Sequence, residues 1–512
     1  MFKPSPAQQA YFSWIQDARG NAILEAVAGA GKTTTILNGC ALMRGRVWIG
    51  VYNSKMGKEL KEKIASNPAL AGRRDLYTST FHSAGYSALR FAFSKQFALT
   101  TDDKKVLKIT QKMADQEHAL NPLVNGVAKI VSMAKNRGIG ALTSIADTDA
   151  WISMIEHFDL ENDLPEDCDI RTAVGFAKAV LVASNDDLRT IDFDDMVYLP
   201  LQRKLRLLQH EWVLIDEAQD TNPTRRALAT KLLAPNGRLV AVGDPRQAIF
   251  GFTGADNDAL EQIATAFNCA RLPLTITYRC PKAVVRHAKQ WVNHIESGDT
   301  APEGEFRTID YADLLPNLKA GDAILCRYNK YLVNLCFKLI RAGMPAKIEG
   351  RSIGENLIRL ATKWKLVKLD ALDSRLDAYL EREVRKAMDN DQEEKADRLT
   401  DQVETLQVLI ARARDQKIDT VEGLRTMILG MFADNTSSPS LITLCSAHKS
   451  KGLEWERVFL LGRSELMPSA FARKPWQVDQ ENNLIYVAVT RAKHLLVEVN
   501  GVVEEKSQKD LA

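Results

Sequence analysis

The apolar runs of this chain are short, and each stops at small or charged residues, the pattern of buried strands that feed functional turns. Residues 22–27 (AILEAV), 212–215 (WVLI) and 239–242 (LVAV) are three such runs. They lead into the glycine turn at 29–31, the carboxylates at 216–217 and the polar turn after Gly243. Apolar positions at helical spacing follow the first run as far as Leu42, and recur at 104–117, 123–135 and 174–183. In the second half a strand at 322–327 precedes an apolar-periodic helix at 331–341. A charged, mostly helical stretch then runs to 437. Its segments 382–386 and 391–395 mix signs at helical spacing, which predicts solvent-exposed faces. The loop 435–439 (NTSSP) ends it, and 440–444 reads as a strand. Strands alternating with helices predict an α/β fold with parallel sheets.

Composition changes this picture little. At 512 residues the chain is too long for one ordinary core and suggests three or four domains. A net charge of +3 neither demands nor excludes a nucleic-acid partner. The seven cysteines are scattered without zinc-ligand spacing, so they read as small core residues of a reducing compartment. No signal pattern and no membrane-length apolar run is present, which predicts a protein that is not secreted and engages no membrane. Its expected place is the cytoplasm or nucleoid/nucleus of its host cell.

The strand ends carry the chemistry. Strand, glycine turn and helix occur in that order around Gly29-Ala30-Gly31-Lys32-Thr33-Thr34, the context a phosphate loop needs. Small residues let backbone N–H groups curl around a phosphate, and the helix N-terminus adds positive potential. Lys32 then reaches the β/γ-phosphates and the Thr33 hydroxyl ligates Mg²⁺. Ala26 stands where the usual pattern begins with glycine. The second strand ends in Asp216-Glu217-Ala218-Gln219-Asp220. Adjacent carboxylates at a buried strand end are costly unless they meet a cation or a reacting group. Asp216 is placed to hold Mg²⁺, and Glu217 to accept a proton from the attacking water. The third strand runs into Gly243-Asp244-Pro245-Arg246-Gln247, where Gln247 is a γ-phosphate sensor candidate. Three such strand ends at one sheet edge point to a RecA-like P-loop NTPase domain.

Taken in order, these segments resemble the superfamily 1 DNA helicases of the UvrD/PcrA/Rep-like group, with some likeness to the compact, F-box-helicase-like branch. The resemblance runs from Gln8 to Lys493. It implies that Gln8, in SPAQQ, reads adenine, and that Asn53 (NSK) with Thr80, Phe81 and His82 (TFHS) couple the nucleotide site to single-stranded DNA. The segment 191–196 (IDFDDM) matches a family stretch that precedes the paired carboxylates. Phe252, in GDPRQAIFGFTGAD, matches a base-stacking aromatic, while Thr253 stands where relatives often carry arginine. In TITYR the resemblance assigns Tyr278 to adenine stacking and Arg279 to the γ-phosphate. In TLCSAHKSKGLEW it assigns Glu454 to the ribose, and His448 and Lys449 to DNA. Arg491, in LIYVAVTRAK, is its second arginine finger; the preceding QENN is less charged than the usual form.

The resemblance divides the chain into two RecA-like motor domains, each interrupted by a mainly helical insertion. The first motor occupies 1–95 and 186–274 around an insertion at 96–185, and the second occupies 275–355 and 438–512 around a short insertion at 356–437. ATP with Mg²⁺ would bridge two domains whose states nucleotide can bias. The activity implied is ATP-dependent, DNA-stimulated unwinding with 3′–5′ translocation. The partners expected are single-stranded DNA, single-strand/duplex junctions, and a single-strand-binding or replication/repair protein, with a monomer as the active form. A translocase that strips proteins from DNA, an ATP-switched nucleic-acid-binding protein and an RNA helicase remain alternatives.

Overall fold

The computed structural model describes residues 3–17, 20–165, 168–249, 258–349, 351–389, 393–433 and 441–502. Compact packing divides the chain into two units, Met1–Val27 with Gly31–Thr275, and Ala28–Ala30 with Ile276–Ala512.

The first unit is built on strands β1 (Ala22–Ala26), β2 (Val47–Val51) and β3 (Leu76–Thr80), a short pair β4 (Thr100–Thr101) and β5 (Thr190–Ile191), and then β6 (His210–Ile215), β7 (Leu233–Gly243) and β8 (Ala270–Leu274). Six of these form one sheet in the order β3-β2-β6-β7-β1-β8. All of its pairings are parallel. The central strands are covered on both faces, so their apolar runs are continuous rather than alternating: Ile23, Leu24, Val213, Leu214, Val240 and Ala241 are all buried.

β4 pairs with β5 where the chain leaves this sheet and returns to it. Between them lie helices Lys105–Ala114, Val124–Arg137, Thr148–His157 and Ile170–Asp186. Their apolar stripes close on a core that includes Trp151, Val127, Ile130 and Val180. A buried ion network fastens this helical insertion to the turn after β5 and to the helix Asp195–Gln202. The Lys105 ammonium lies 2.7 Å from Asp195, and Lys135 pairs with Asp192 and, at 2.7 Å, with Asp195. Both lysines are essentially inaccessible. Isolated charges could not be buried so deeply, and the four groups are tolerable there only as a set. Lys135 is thus a structural group, and Lys129 pairs with Asp163 at 2.6 Å.

In the second unit β9 (Ile276–Thr277) pairs in parallel with β10 (Glu296–Ser297). The main sheet follows: β11 (Glu305–Asp310), β12 (Ala323–Cys326), β13 (Ala346–Glu349), β14 (Phe432–Ala433), β15 (Ile442–Ser446), β16 (Trp455–Leu461) and β17 (Ala492–Asn500). Its order is β11-β17-β16-β12-β15-β13-β14, again parallel throughout. Helices Arg351–Thr362, Leu369–Asp389, Glu393–Asp415 and Val421–Met431 sit between β13 and β14. Arg327, just past β12, holds this helical group by an ion pair to Asp397 at 3.0 Å and also pairs, at 2.9 Å, with Glu481 of the helix Pro475–Val489. Two RecA-like parallel sheets, each with a helical insertion, are the architecture of the protein. Among the described residues no helix is long and apolar enough to cross a membrane.

Candidate nucleotide and nucleic-acid sites

In the first unit the phosphate loop ends at Gly31, whose left-handed backbone (φ 74°) precedes helix Lys32–Cys40. No side chain caps this helix N-terminus, which leaves its N–H groups and positive potential available to an anion. The Lys32 ammonium lies 2.9 Å from Glu217 Oε2. Burial alone would depress its pKa, but Glu217, Asp216 and Asp244 more than offset this and hold it above the ordinary lysine value. Burial, reinforced by Glu217, pushes the Asp216 carboxyl up to about 6, with Lys32 opposing. Thr33 is half-buried and Thr34 exposed on the first turn. The buried Asp216 carboxylate and the Thr33 hydroxyl on the first turn are hard oxygen donors of the kind a divalent cation such as Mg²⁺ takes.

Glu217 itself has a left-handed backbone (φ 52°), an unfavourable setting for a side chain with a Cβ. Its neighbour Gln219 explains how the arrangement is held. Gln219 donates from Nε2 to Glu217 Oε2 at 2.6 Å and accepts the Asp244 N–H at 3.1 Å. One amide therefore ties the ends of β6 and β7 together. A Cβ on Gly243 would come 2.4 Å from the Gln219 amide oxygen, so glycine there lets that amide keep its place. Gln247 is buried and donates to Asp244 at 2.7 Å. Burial pushes the Asp244 carboxyl upward, against the pull of Lys32 and of this amide.

Gln8 lies at the buried side of the first helix, Pro6–Asp17. It donates to the Thr35 hydroxyl at 2.8 Å and accepts the Ser5 N–H at 3.0 Å. Thr35 in turn donates to the Gly31 carbonyl at 3.0 Å, so Gln8 is linked to the phosphate loop through one hydroxyl.

The ends of β2 and β3 carry the residues expected to face DNA. Asn53 caps helix Ser54–Ser66 by accepting the Met56 N–H, and Thr80 caps helix Phe81–Phe93 by accepting the Ser83 N–H. Phe81 corrects the expectation of a base-stacking ring. It is only 3% exposed, packed edge-on against Trp48 at 5.2 Å within the core under the sheet. The exposed ring here is Phe193, 53% accessible and stacked on His82 at 3.8 Å. Burial, aided by Arg225, drives the His82 imidazole down to about 3, so this stack is neutral. Arg225 also lies over the Tyr52 ring at 5.1 Å. Phe252 lies outside the described residues.

The second unit gathers a different set. Arg279 donates to Glu454 at 2.7 Å and to the Thr490 carbonyl at 3.3 Å, and Lys493 reaches Glu454 at 3.1 Å. Burial would raise the Glu454 carboxyl, but the two cations hold it below the ordinary range. Tyr278 is 57% exposed and donates its N–H to the Gly29 carbonyl at 2.9 Å. Gly29 has φ +72°, and a Cβ there would fall 2.6 Å from Arg279 Cβ, which leaves room for glycine alone. Ala30 is buried beside it. Arg491 is turned inward: it donates to the carbonyls of Val487 (2.7 Å) and Leu453 (3.2 Å) and to the Thr490 hydroxyl (3.1 Å). At 1% exposure it acts in this conformation as a brace of its own unit, where the sequence led us to expect a reaching finger. His448 is half-buried, its pKa driven by burial and Arg327 to about 3, and Lys449 is exposed.

Gln219, Thr35 and Phe193 were not singled out from sequence. Gln219 lies two residues beyond Glu217 in the acidic motif, and Phe193 lies among acidic residues, so both positions were visible but their contacts were not.

Two family models match the chain: the UvrD/REP helicase N-terminal domain over residues 7–268 and the UvrD-like helicase C-terminal domain over residues 143–499. Among similar proteins, ATP-dependent DNA helicase UvrD2 of Mycobacterium tuberculosis is 25% identical, over 93% of this chain and 76% of its own length. DNA helicase II of Haemophilus influenzae is 22% identical, over 93% and 81%. ATP-dependent DNA helicase Rep of Escherichia coli is 25% identical over 56% of this chain and 42% of its own.

Proposed function

The chain belongs to the UvrD/Rep helicase family, and from that premise we propose that it is an ATP-dependent DNA helicase that moves 3′–5′ on single-stranded DNA and opens single-strand/duplex junctions. The observation that carries this reading is the meeting of Lys32, Glu217 and Asp216 at an uncapped helix N-terminus. Gly29, Ala30, Gly31, Lys32 and Thr34 hold the phosphates of ATP, Gln8 and Tyr278 hold adenine, and Glu454 holds the ribose. Glu217 accepts the proton of the attacking water. Gln247 orients that water or the γ-phosphate, while Arg279 and Arg491 neutralise the charge that develops on it. Thr33 and Asp216 would hold Mg²⁺, which when bound supplies positive charge against the phosphate oxygens.

Asn53, Thr80, His82, Phe252, His448 and Lys449 contact the strand, and Phe193 stacks on a base. The motor and insertion boundaries are those of the sequence reading, the short second insertion is in keeping with the compact F-box-helicase-like branch, and the active form is a monomer. A single-strand-binding or repair protein is its proposed partner.

The test is steady-state ATPase with and without single-stranded DNA, for wild type and Lys32→Ala, beside unwinding of duplexes with a 3′ or a 5′ tail. DNA-stimulated hydrolysis lost in the variant, with opening of the 3′-tailed duplex alone, is the expected result. Stimulation without unwinding would replace the helicase reading by a protein-stripping translocase. Hydrolysis indifferent to DNA would leave an ATP-driven switch.

A further inference from the structure

A groove of about 570 Å³ opens on the first unit between helix Phe81–Phe93 and the region just before β6. Trp48, Tyr77 and His210, near the starts of β2, β3 and β6, lie along it, whereas Asn53, Thr80 and Asp216 stand at or just past the ends of those strands. Its rim exposes large apolar side chains: Phe91 is 84% accessible and Leu208 54%. A soluble surface seldom gathers such side chains around a concavity without a use for them.

Two further features say what fits. The first is charge. Arg206 lines the groove, and Arg90 lines the adjoining hollow that Phe91 shares. No aspartate or glutamate lines either cavity. Neither arginine makes an ion pair among the described residues, whereas the nearby Arg46 and Arg73 are paired with Glu211 and Asp75. The second is the sheet edge. β3 is the outermost strand, with β2 on one side only, so the other edge of its backbone can accept an added strand.

We propose that this groove docks an extended acidic peptide of a partner protein, with apolar side chains seated between Tyr77, Phe91 and Leu208 and carboxylates meeting Arg90 and Arg206. An apolar floor gives such a peptide its anchor, and unpaired rim arginines give charge-assisted hydrogen bonds and selectivity for acidic sequences.

The test is fluorescence anisotropy of the full chain with a labelled short peptide in which phenylalanine and leucine alternate with aspartate. Saturable binding at roughly micromolar affinity is expected. Phe91→Ser and Arg206→Glu should each weaken it by about tenfold or more. Both residues are exposed and lie outside the nucleotide site, so fold by circular dichroism and DNA-stimulated ATPase should stay at wild-type levels. A peptide with lysine in place of aspartate should not bind. Absence of saturable binding, or equal affinity in wild type and both variants, would overturn the proposal. Displacement of the peptide by oligo-dT, with oligo-dT itself bound more weakly by Arg206→Glu, would assign the groove to nucleic acid and also overturn it.

Discussion

The Lys32 ammonium lies 2.9 Å from the Glu217 carboxylate, so the residue that reaches for phosphate is paired with the residue that activates water. Phosphate must therefore compete with Glu217 for the lysine, and its arrival frees the carboxylate to act as a base. Glu217→Gln should keep nucleotide binding, because the amide releases Lys32 more readily than the carboxylate does. Its kcat should fall by about 10²–10⁴-fold. Binding of a fluorescent ATP analogue beside steady-state hydrolysis measures both; a loss of binding that matches the loss of kcat would refute this division of roles.

Gln219 holds Glu217 and the Asp244 backbone with one amide. Gln219→Ala should leave a buried N–H without its acceptor, a cost of about 1–3 kcal/mol. It should also let the base drift, lowering kcat by roughly 10–100-fold, the usual size of such supporting effects. KM for ATP should change far less. A rise in KM with unchanged kcat would mean that the amide serves binding instead.

Lys135 is fully buried between Asp192 and Asp195. Lys135→Met would strand the buried Asp192 carboxylate and leave Asp195 with Lys105 alone, and should cost about 3–5 kcal/mol in urea unfolding. Lys129→Ala, at an exposed pair, should cost less than about 1 kcal/mol. If Lys135 instead served DNA, its replacement would weaken DNA binding and leave unfolding unchanged.

Phe193 is exposed while Phe81 is in the core. Phe193→Ala should weaken single-stranded DNA binding by about 1–3 kcal/mol without loss of stability. Phe81→Ala should instead destabilise the fold by about 3–5 kcal/mol through the cavity it leaves. Titration with labelled oligo-dT, together with thermal melts, separates the two.

Burial, with a smaller push from Arg46, holds the His210 imidazole down to about 4, against the weak opposing pull of Glu211. An unfolded histidine titrates near 6.5, so the folded value lies below the unfolded one. The stability this group contributes is present above about pH 6.5 and is lost as pH falls toward 4, because the unfolded chain takes up the proton first. His210→Phe keeps a ring against Tyr77 and removes the titration, so its Tm should fall less than that of wild type between about pH 7.5 and pH 5. Parallel Tm profiles of the two proteins would show that His210 contributes nothing to acid sensitivity.

Much of the motor was legible in the sequence because its signals are contiguous. A strand, a glycine turn and a lysine on the next helix turn are neighbours along the chain, and backbone geometry alone makes them a phosphate loop. The acidic pair after β6 follows the same logic. So do the apolar runs of β1, β6, β7 and β12, whose length and continuity mark strands covered on both faces. The order of these segments was enough to point to two parallel sheets and to the family.

Burial and partnership were decided elsewhere, by elements far apart in sequence. Phe81 and Phe193 are both phenylalanines beside polar residues, and only the packing of Trp48 under the sheet determines which is core and which is surface. Lys135 is a charged residue on an apolar-periodic helix, and only Asp192 and Asp195, nearly sixty residues later, enclose it. Arg491 carries a finger's motif, yet the carbonyls of Val487 and Leu453 claim its guanidinium in this conformation. Residue type and local backbone are enough to set the chemistry available and the order in which the chain presents it. Tertiary structure decided which groups meet, which are desolvated and which remain open to a partner, since desolvation depends on neighbours that no local pattern names.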